Sequence, residues 1–152
     1  VLVAAQEQNN RAFDRYINGL RHDRGMEVVL SRQGAAGALI KGLKANKLLG
    51  ILADQHAGPG GEILPFFGQP CSVLRSPVIL ARRAGSRLLM AVLRRGQGGR
   101  PRFILKAMPP VDLKGSIGEA TGRWLSVFES LVREKPEDWF WVHRRWKGSQ
   151  RP

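Results

Sequence analysis

The stretch Leu48-Leu-Gly-Ile-Leu-Ala-Asp54, continued by Gln55-His-Ala-Gly-Pro-Gly-Gly61, decides the fold. Leu48–Ala53 carries no charge and is short, the pattern of a strand buried on both faces. It runs into a carboxylate and a glycine-rich loop. In open α/β sheets ligands sit beyond the carboxyl ends of the strands, which makes Asp54 the leading site candidate. A carboxylate there orients a histidine, binds a hydroxyl or meets a cation. The plainer alternative is an aspartate that caps nearby backbone amides.

Upstream, two helical patterns alternate with strands. Asn10–Arg24 places Phe13, Ile17 and Leu20 on one stripe and stops at Gly25. Met26–Leu30 reads as a strand, and Gly34–Ala45 as a second helix through Ala35, Leu39, Ile40 and Leu43. The opening Val1–Ala5 is apolar and reads as a strand belonging to something longer.

Downstream, residues 55–73 read as loop. A third helix is expected to open at Ser76 as N-cap, with Pro77 in the first turn, and to stop at Gly85. Leu88–Leu93 and Phe103–Ala107 read as strands joined through the Gly96–Gly99 turn region. That connection is too short for a parallel crossover. Ser116-Ile-Gly-Glu119 is a capping box. The helix it opens carries Ile117, Ala120, Trp124, Val127, Phe128 and Leu131 on one face and ends at Pro136. The whole predicts an α/β fold: a mixed sheet flanked by helices.

Hydrophobic residues make up 43% of the 152, which excludes a disordered chain. No run of about 18 apolar residues is present to cross a membrane. The single cysteine, Cys71, excludes an internal disulfide and a cysteine-rich metal cluster, and reads as a small buried residue. Charge is uneven. Up to Pro70 there are 8 basic and 6 acidic residues, net +2; the remaining 17 basic and 6 acidic give net +11. Such a field attracts nucleic acid, anionic lipid or an acidic carrier protein, and charge alone does not choose among them.

Other motifs narrow the chemistry. Gly58-Pro-Gly-Gly61 lacks the Gly-Lys-Ser/Thr of a P-loop and reads as a plain flexible loop rather than a phosphate nest. Pro65-Phe-Phe-Gly68 sets two rings on opposite sides of extended chain, both as core or one lining an apolar tunnel. His22 and Glu27 have His-x4-Glu spacing, but lie near a helix end and on the next strand. His56 stands two positions after Asp54, on the same side if the segment is extended. His143, between Trp141 and the pair Arg144 and Arg145, suits binding rather than base catalysis. None has a serine or cysteine partner for a nucleophilic triad. In the last segment, Trp139, Phe140, Trp141 and Trp146 interleave with His143, Arg144, Arg145 and Lys147. Aromatic plus basic suits a membrane interface or a single-stranded nucleic acid, and equally tryptophans that anchor the terminus to the fold.

Four stretches, in order, resemble the bacterial lipid A biosynthesis acyltransferases, the lauroyl and myristoyl transferases. They are Glu7-Gln-Asn-Asn10 with Phe13-Asp-Arg-Tyr-Ile17 and Arg21; Gly50-Ile-Leu-Ala-Asp54-Gln55; Pro65-Phe-Phe-Gly68 with Leu80-Ala-Arg-Arg-Ala-Gly85; and Lys135-Pro-Glu-Asp-Trp139 through Trp141-Val-His-Arg-Arg-Trp-Lys147. The resemblance implies a glycerolipid-acyltransferase-like α/β fold, incomplete at its N-terminus. Residues 1–152 would then form the C-terminal portion of a single acyltransferase domain. It implies an inner-membrane enzyme facing the cytoplasm that moves a fatty acyl chain from acyl carrier protein to a hydroxyl of an anionic glycolipid, without metal or organic cofactor.

The family's catalytic His-x4-Asp/Glu lies upstream of the first matched stretch, so no catalytic base is expected in this chain. Asp54 supports the site, and Asn10, Arg21, Gln55 and Arg75 join it in binding substrate. Trp141, Arg144, Arg145, Trp146 and Lys147 are expected to meet anionic lipid. Two departures stand out: Gln6 occupies the place of the family's arginine before Glu-Gln, and Arg11 that of a proline after the asparagine. A nucleic-acid-binding module, the rival reading, accounts for the charge but not for the Asp54 loop or the Pro-Phe-Phe-Gly turn. A non-catalytic interaction domain is the third.

Overall fold

The computed structural model describes residues 1–31, 34–96 and 102–148, which divide into two compact units. The first comprises Val1–Leu52 and Leu80–Ser86; the second comprises Ala53–Ile79 and the described residues from Arg87 onward.

The first unit is a β-α-β-α-β run: β1 (Leu2–Ala5), α1 (Arg11–Asp23), β2 (Glu27–Leu30), α2 (Ala35–Lys44) and β3 (Leu49–Gly50). The three strands form a parallel sheet in the order β2-β1-β3, with Leu2 opposite both Glu27 and Leu49. Parallel pairing follows from the intervening helices, which return the chain to the same edge. The two helices lie within one residue of the sequence reading at each end. The expected strand Leu48–Ala53 is shorter than predicted. Only Leu49 and Gly50 pair, and Leu52 is 83% exposed, so Asp54 stands four residues past the strand end.

The second unit contains two antiparallel hairpins. One pairs β4 (Glu62–Phe66) with β5 (Gln69–Val73); the other pairs β6 (Ala91–Arg95) with β7 (Phe103–Ala107). A long helix, α4 (Ile117–Glu134), packs against β4. The helix α3 (Ser76–Ala84) runs from the second unit into the first. The connection expected at Gly96–Gly99 lies, beyond Gly96, outside the described residues.

The expectation of one mixed sheet is corrected: the described strands form three separate sheets, one parallel and two antiparallel. The reading of residues 55–73 as loop is also corrected by the β4–β5 hairpin. Its prolines misled. Phe67 and Gly68 form a two-residue turn with φ of 51° and 75°, both left-handed as a type I′ turn demands. Phe66 opposite Gln69 closes the ladder, so alternation places Pro65 opposite Pro70 at a non-hydrogen-bonded pair. Neither missing N–H was needed there.

The core of the second unit lies between this hairpin and α4. Phe66, Val73, Val78, Ala120, Trp124, Leu125 and Phe128 are buried together. The capping box at the start of α4 forms: Glu119 N–H donates to Ser116 Oγ at 3.1 Å and Ser116 N–H to Glu119 Oε2 at 2.6 Å. The buried stripe is wider than predicted, adding Thr121, Leu125 and Val132, while Val127 is only half-buried.

Candidate functional site

Asp54 is the second residue of the second unit, where the chain bends at Asp54 and Gln55. The bend ends the extended backbone that would have set Asp54 and His56 on one side. The following loop is tied down rather than free. Residues Gly58–Gly60 form a short 3-10 turn, and Ser72 Oγ donates to Gly58 O at 2.5 Å. Ala57 N–H donates to Ser72 O at 3.2 Å. Gly61 is required by this closeness: a Cβ there would meet Ser72 Oγ and the side chain of Ala57. The expectation of a plain flexible loop is therefore corrected: Gly61 serves close packing against β5, and Gly58 takes a left-handed φ of 72°.

The C-terminal segment clamps the other side of the loop. Nε2 of His143 accepts the backbone N–H of His56 at 2.9 Å. The Arg145 guanidinium is fully buried, and its Nη1 donates to the carbonyls of Gln55 and Ser72, the latter at 3.3 Å. Trp146 Nε1 donates to Phe66 O at 3.0 Å, and its ring stacks with that of Phe66 at 5.8 Å between centroids. Phe66 is the hub of this cluster, since Phe128 stacks on it at 5.4 Å and Trp139 meets it edge-on at 5.6 Å. Tight turns alternate the segment's side chains: Trp139, His143, Arg145 and Trp146 face inward, while Phe140, Trp141, Val142, Arg144 and Lys147 are exposed.

Two sequence assignments are thereby corrected. Arg145 is not a lipid-facing cation, because its side chain is a core element that holds two carbonyls. Trp146 is an anchor, with its indole N–H committed to Phe66 O. Trp141, Arg144 and Lys147 are exposed, with Trp141 Nε1 bonded to Pro136 O at 2.7 Å.

Burial lowers the pKa of Arg145, opposed by the Cys71 thiol and the Asp54 carboxylate. Burial likewise pushes the Cys71 thiol up, with Arg145 pulling the other way. Arg145 Nε and Nη2, and His56 Nδ1, are buried without a hydrogen-bond partner among the described residues. A buried guanidinium so incompletely paired adds a positive potential beside the Asp54 loop, which favours an anionic group there. Among the described residues no three His, Cys, Asp or Glu side chains gather as metal ligands.

The other predicted residues lie elsewhere. Asn10 and Arg21 belong to the first unit. Asn10 is the N-cap of α1, its side chain accepting from the N–H groups of Ala12 at 2.9 Å and Phe13 at 3.1 Å. Arg21 Nη1 donates to Asn18 Oδ1 at 2.8 Å, and Asn18 in turn donates to Asp14 at 3.0 Å, a relay along one face of the helix. Arg75 is exposed in the second unit, just before α3. His22 and Glu27 do not pair: the Glu27 carboxylate is held by Lys47 at 2.6 Å, and His22 approaches Asp23 at 3.9 Å. The Lys47 contact lowers the Glu27 pKa, which keeps it an anion rather than a partner for a base.

Sequence reading missed one hook. Phe67, bulky and left-handed, donates its N–H to Glu129 Oε2 at 2.8 Å, while Arg133 lies over its ring at 4.6 Å and pairs with Glu129 at 2.7 Å. The i,i+4 spacing of Glu129 and Arg133 was legible, but not its target.

This chain belongs to the bacterial lipid A biosynthesis acyltransferases, whose family model matches residues 1–148. It is 28% identical over 127 residues to the lipid A biosynthesis lauroyltransferase of Escherichia coli (strain K12). That alignment covers 82% of this chain and 41% of the relative, so the chain spans less than half the relative's length. No helix among the described residues is long and apolar enough to cross a membrane.

Proposed function

We propose that the protein transfers a fatty acyl chain from acyl carrier protein to a hydroxyl of a lipid A precursor or a related glycolipid, at the cytoplasmic face of the inner membrane. Residues 1–152 supply the C-terminal portion of the domain, and the His-x4-Asp/Glu base comes from outside them. The reaction converts a thioester to an oxygen ester. The base removes the acceptor hydroxyl's proton as that oxygen attacks the thioester carbonyl. The carrier's thiolate then leaves and takes a proton back. Asp54 orients the acceptor or the base, and Asn10, Arg21, Gln55 and Arg75 contribute to substrate binding. No metal or organic cofactor enters.

One observation carries the reading: the family match over residues 1–148 includes a carboxylate loop held rigid from both sides, by β5 and by the His143–Trp146 segment. A carboxylate that acts in a transition state must be fixed before the substrate arrives. The experiment is turnover of acyl carrier protein thioester with a lipid A precursor by the full-length enzyme and its Asp54→Ala variant. The variant is expected to fold and to lose about tenfold to a hundredfold in turnover, the size of one charged hydrogen bond. Full activity in Asp54→Ala removes Asp54 from the site. Absence of transfer to any lipid A precursor by the parent enzyme removes the reading.

A further inference from the structure

One face of the β6–β7 hairpin meets its own unit in part, with Ile104 on it 57% exposed, and the other turns to solvent. Leu88 and Met90 pack against the core, and their carbonyls accept from Val111 and Met108 N–H at 2.8 Å each. Farther along the same face, Arg94 and Lys106 meet Glu134 at the end of α4, at 2.8 and 2.9 Å. The alternate residues point away. Leu89 is 47% exposed, Leu93 62%, Phe103 62% and Leu105 69%. Leu93 stands opposite Leu105, and Arg95 opposite Phe103, so these side chains form one continuous patch. Exposed apolar surface of that continuity marks a place of contact.

Charge identifies what it contacts. Residues 63–111 contain nine Lys and Arg and no Asp or Glu. On the exposed face, Arg87 and Arg95 bracket Leu89 and Leu93. Arg95 lies 5.9 Å from the Phe103 ring. Cations therefore rim an aliphatic and aromatic centre. A nucleic acid would need cations and stacking rings across the centre, where leucines stand. A bilayer matches both parts, with acyl chains at the centre and lipid phosphates at the rim.

We propose that this face of the β6–β7 hairpin seats the protein on an anionic lipid bilayer. The proposal deepens the membrane setting given above by naming its surface. It does not depend on acyl transfer, and its test has no catalytic readout. Because Arg94 and Lys106 are engaged by Glu134 on the inner face, Arg87 and Arg95 are the headgroup ligands. The leucines and Phe103 enter only the headgroup boundary, since the patch is too short to span.

The test is cosedimentation of the protein with vesicles of phosphatidylcholine alone and of phosphatidylcholine mixed with phosphatidylglycerol. Binding is expected only to the mixed vesicles and should weaken with salt. Arg87→Gln and Arg95→Gln should each lower partitioning about fivefold. Leu93→Ser/Leu105→Ser should abolish it while leaving the far-ultraviolet circular dichroism unchanged; if that pair unfolds, the two arginine variants decide. Arg144→Gln/Lys147→Gln should bind like the parent. Binding that ignores the hairpin variants and falls with Arg144→Gln/Lys147→Gln overturns the proposal and returns the lipid surface to the C-terminal segment. Equal binding to neutral vesicles overturns it too. So does a dimer dissolved by Leu93→Ser/Leu105→Ser without vesicle binding, because the occupant is then a second copy of the chain.

Discussion

His143 Nε2 accepts the backbone N–H of His56 at 2.9 Å across 87 positions of sequence. Nε2 serves as this acceptor through its ring lone pair, which leaves Nδ1 as the ring's donor position. His143→Ala leaves a half-buried amide without its acceptor, a loss of about 1 kcal/mol. The expected result is faster hydrogen exchange of the His56 amide with little change elsewhere. His143→Gln, which offers a carbonyl oxygen, should recover part of the protection. Unchanged exchange in His143→Ala would show that the bond does not hold the loop.

Arg145 does more for the same loop. Its Nη1 satisfies the carbonyls of Gln55 and Ser72, and its guanidinium lies 5.6 Å from the Phe66 ring. Arg145→Met keeps an apolar stem in the core but removes the donor to the Gln55 carbonyl and leaves the Ser72 carbonyl with the Ala57 N–H alone. One unsatisfied carbonyl costs about 1–3 kcal/mol, partly offset because a buried charge is removed as well. Urea denaturation should show Arg145→Met destabilised by about 1–2 kcal/mol, whereas Arg144→Met, at an exposed neighbour, should move by less than about 0.5 kcal/mol. Equal stability of the two variants would sink the assignment of Arg145 to the interior.

That contrast shows where sequence reading stops. The helices α1, α2 and α4 and the capping box were legible because their signals are local: Asn10 three residues before the first apolar stripe member Phe13, Ser116 three before Glu119, Gly25 after the last helical turn. The antiparallel sense of β6 and β7 was legible from the shortness of their connection. The hairpin at 62–73 was hidden by Pro65 and Pro70, whose tolerance depends on cross-strand register, a tertiary property. Arg145 was misassigned because Arg144 beside it has the same chemistry; the backbone turns alone decide which arginine is buried. The candidacy of Asp54 came from the run before it, while its supports, Ser72, His143 and Arg145, are 18 to 91 positions away and carry no local mark.

The Phe67 turn carries a pH dependence. A bulky residue at φ 51° costs about 1 kcal/mol or more, and the Glu129 carboxylate offsets this by accepting the Phe67 N–H. That hydrogen bond, and then Arg133, hold the Glu129 pKa below its ordinary 4.5, against the opposing effect of burial. A depressed folded-state pKa contributes stability that is full above the unfolded value and is lost as pH falls through the folded one. Melting temperature measured from pH 7 downward should therefore drop more steeply below the ordinary carboxylate range in the parent than in Glu129→Gln. The amide oxygen of that variant still accepts the N–H but does not titrate. Identical pH profiles would place the acid sensitivity elsewhere.

Glu134 offers the clearest titration. Hydrogen bonds from Arg94 and then Lys106 hold its pKa down to about 2, against 4.5 ordinarily. Its side chain is 47% exposed, so salt screens the attraction and the shift belongs to low ionic strength. The sign is that of a depressed carboxylate: the contribution is complete above pH 4.5, and is lost as pH falls toward about 2. The triad is thus intact at neutral pH, where it fixes the inner face of the β6–β7 hairpin to the end of α4. Carboxyl titration by nuclear magnetic resonance should place Glu134 near 2 in low salt and move it upward as salt is added. Glu134→Gln should release Arg94 and Lys106 and speed amide exchange in both strands of the hairpin. A variant that exchanges as slowly as the parent would show that the hairpin is held by Leu88 and Met90 in the core rather than by this carboxylate.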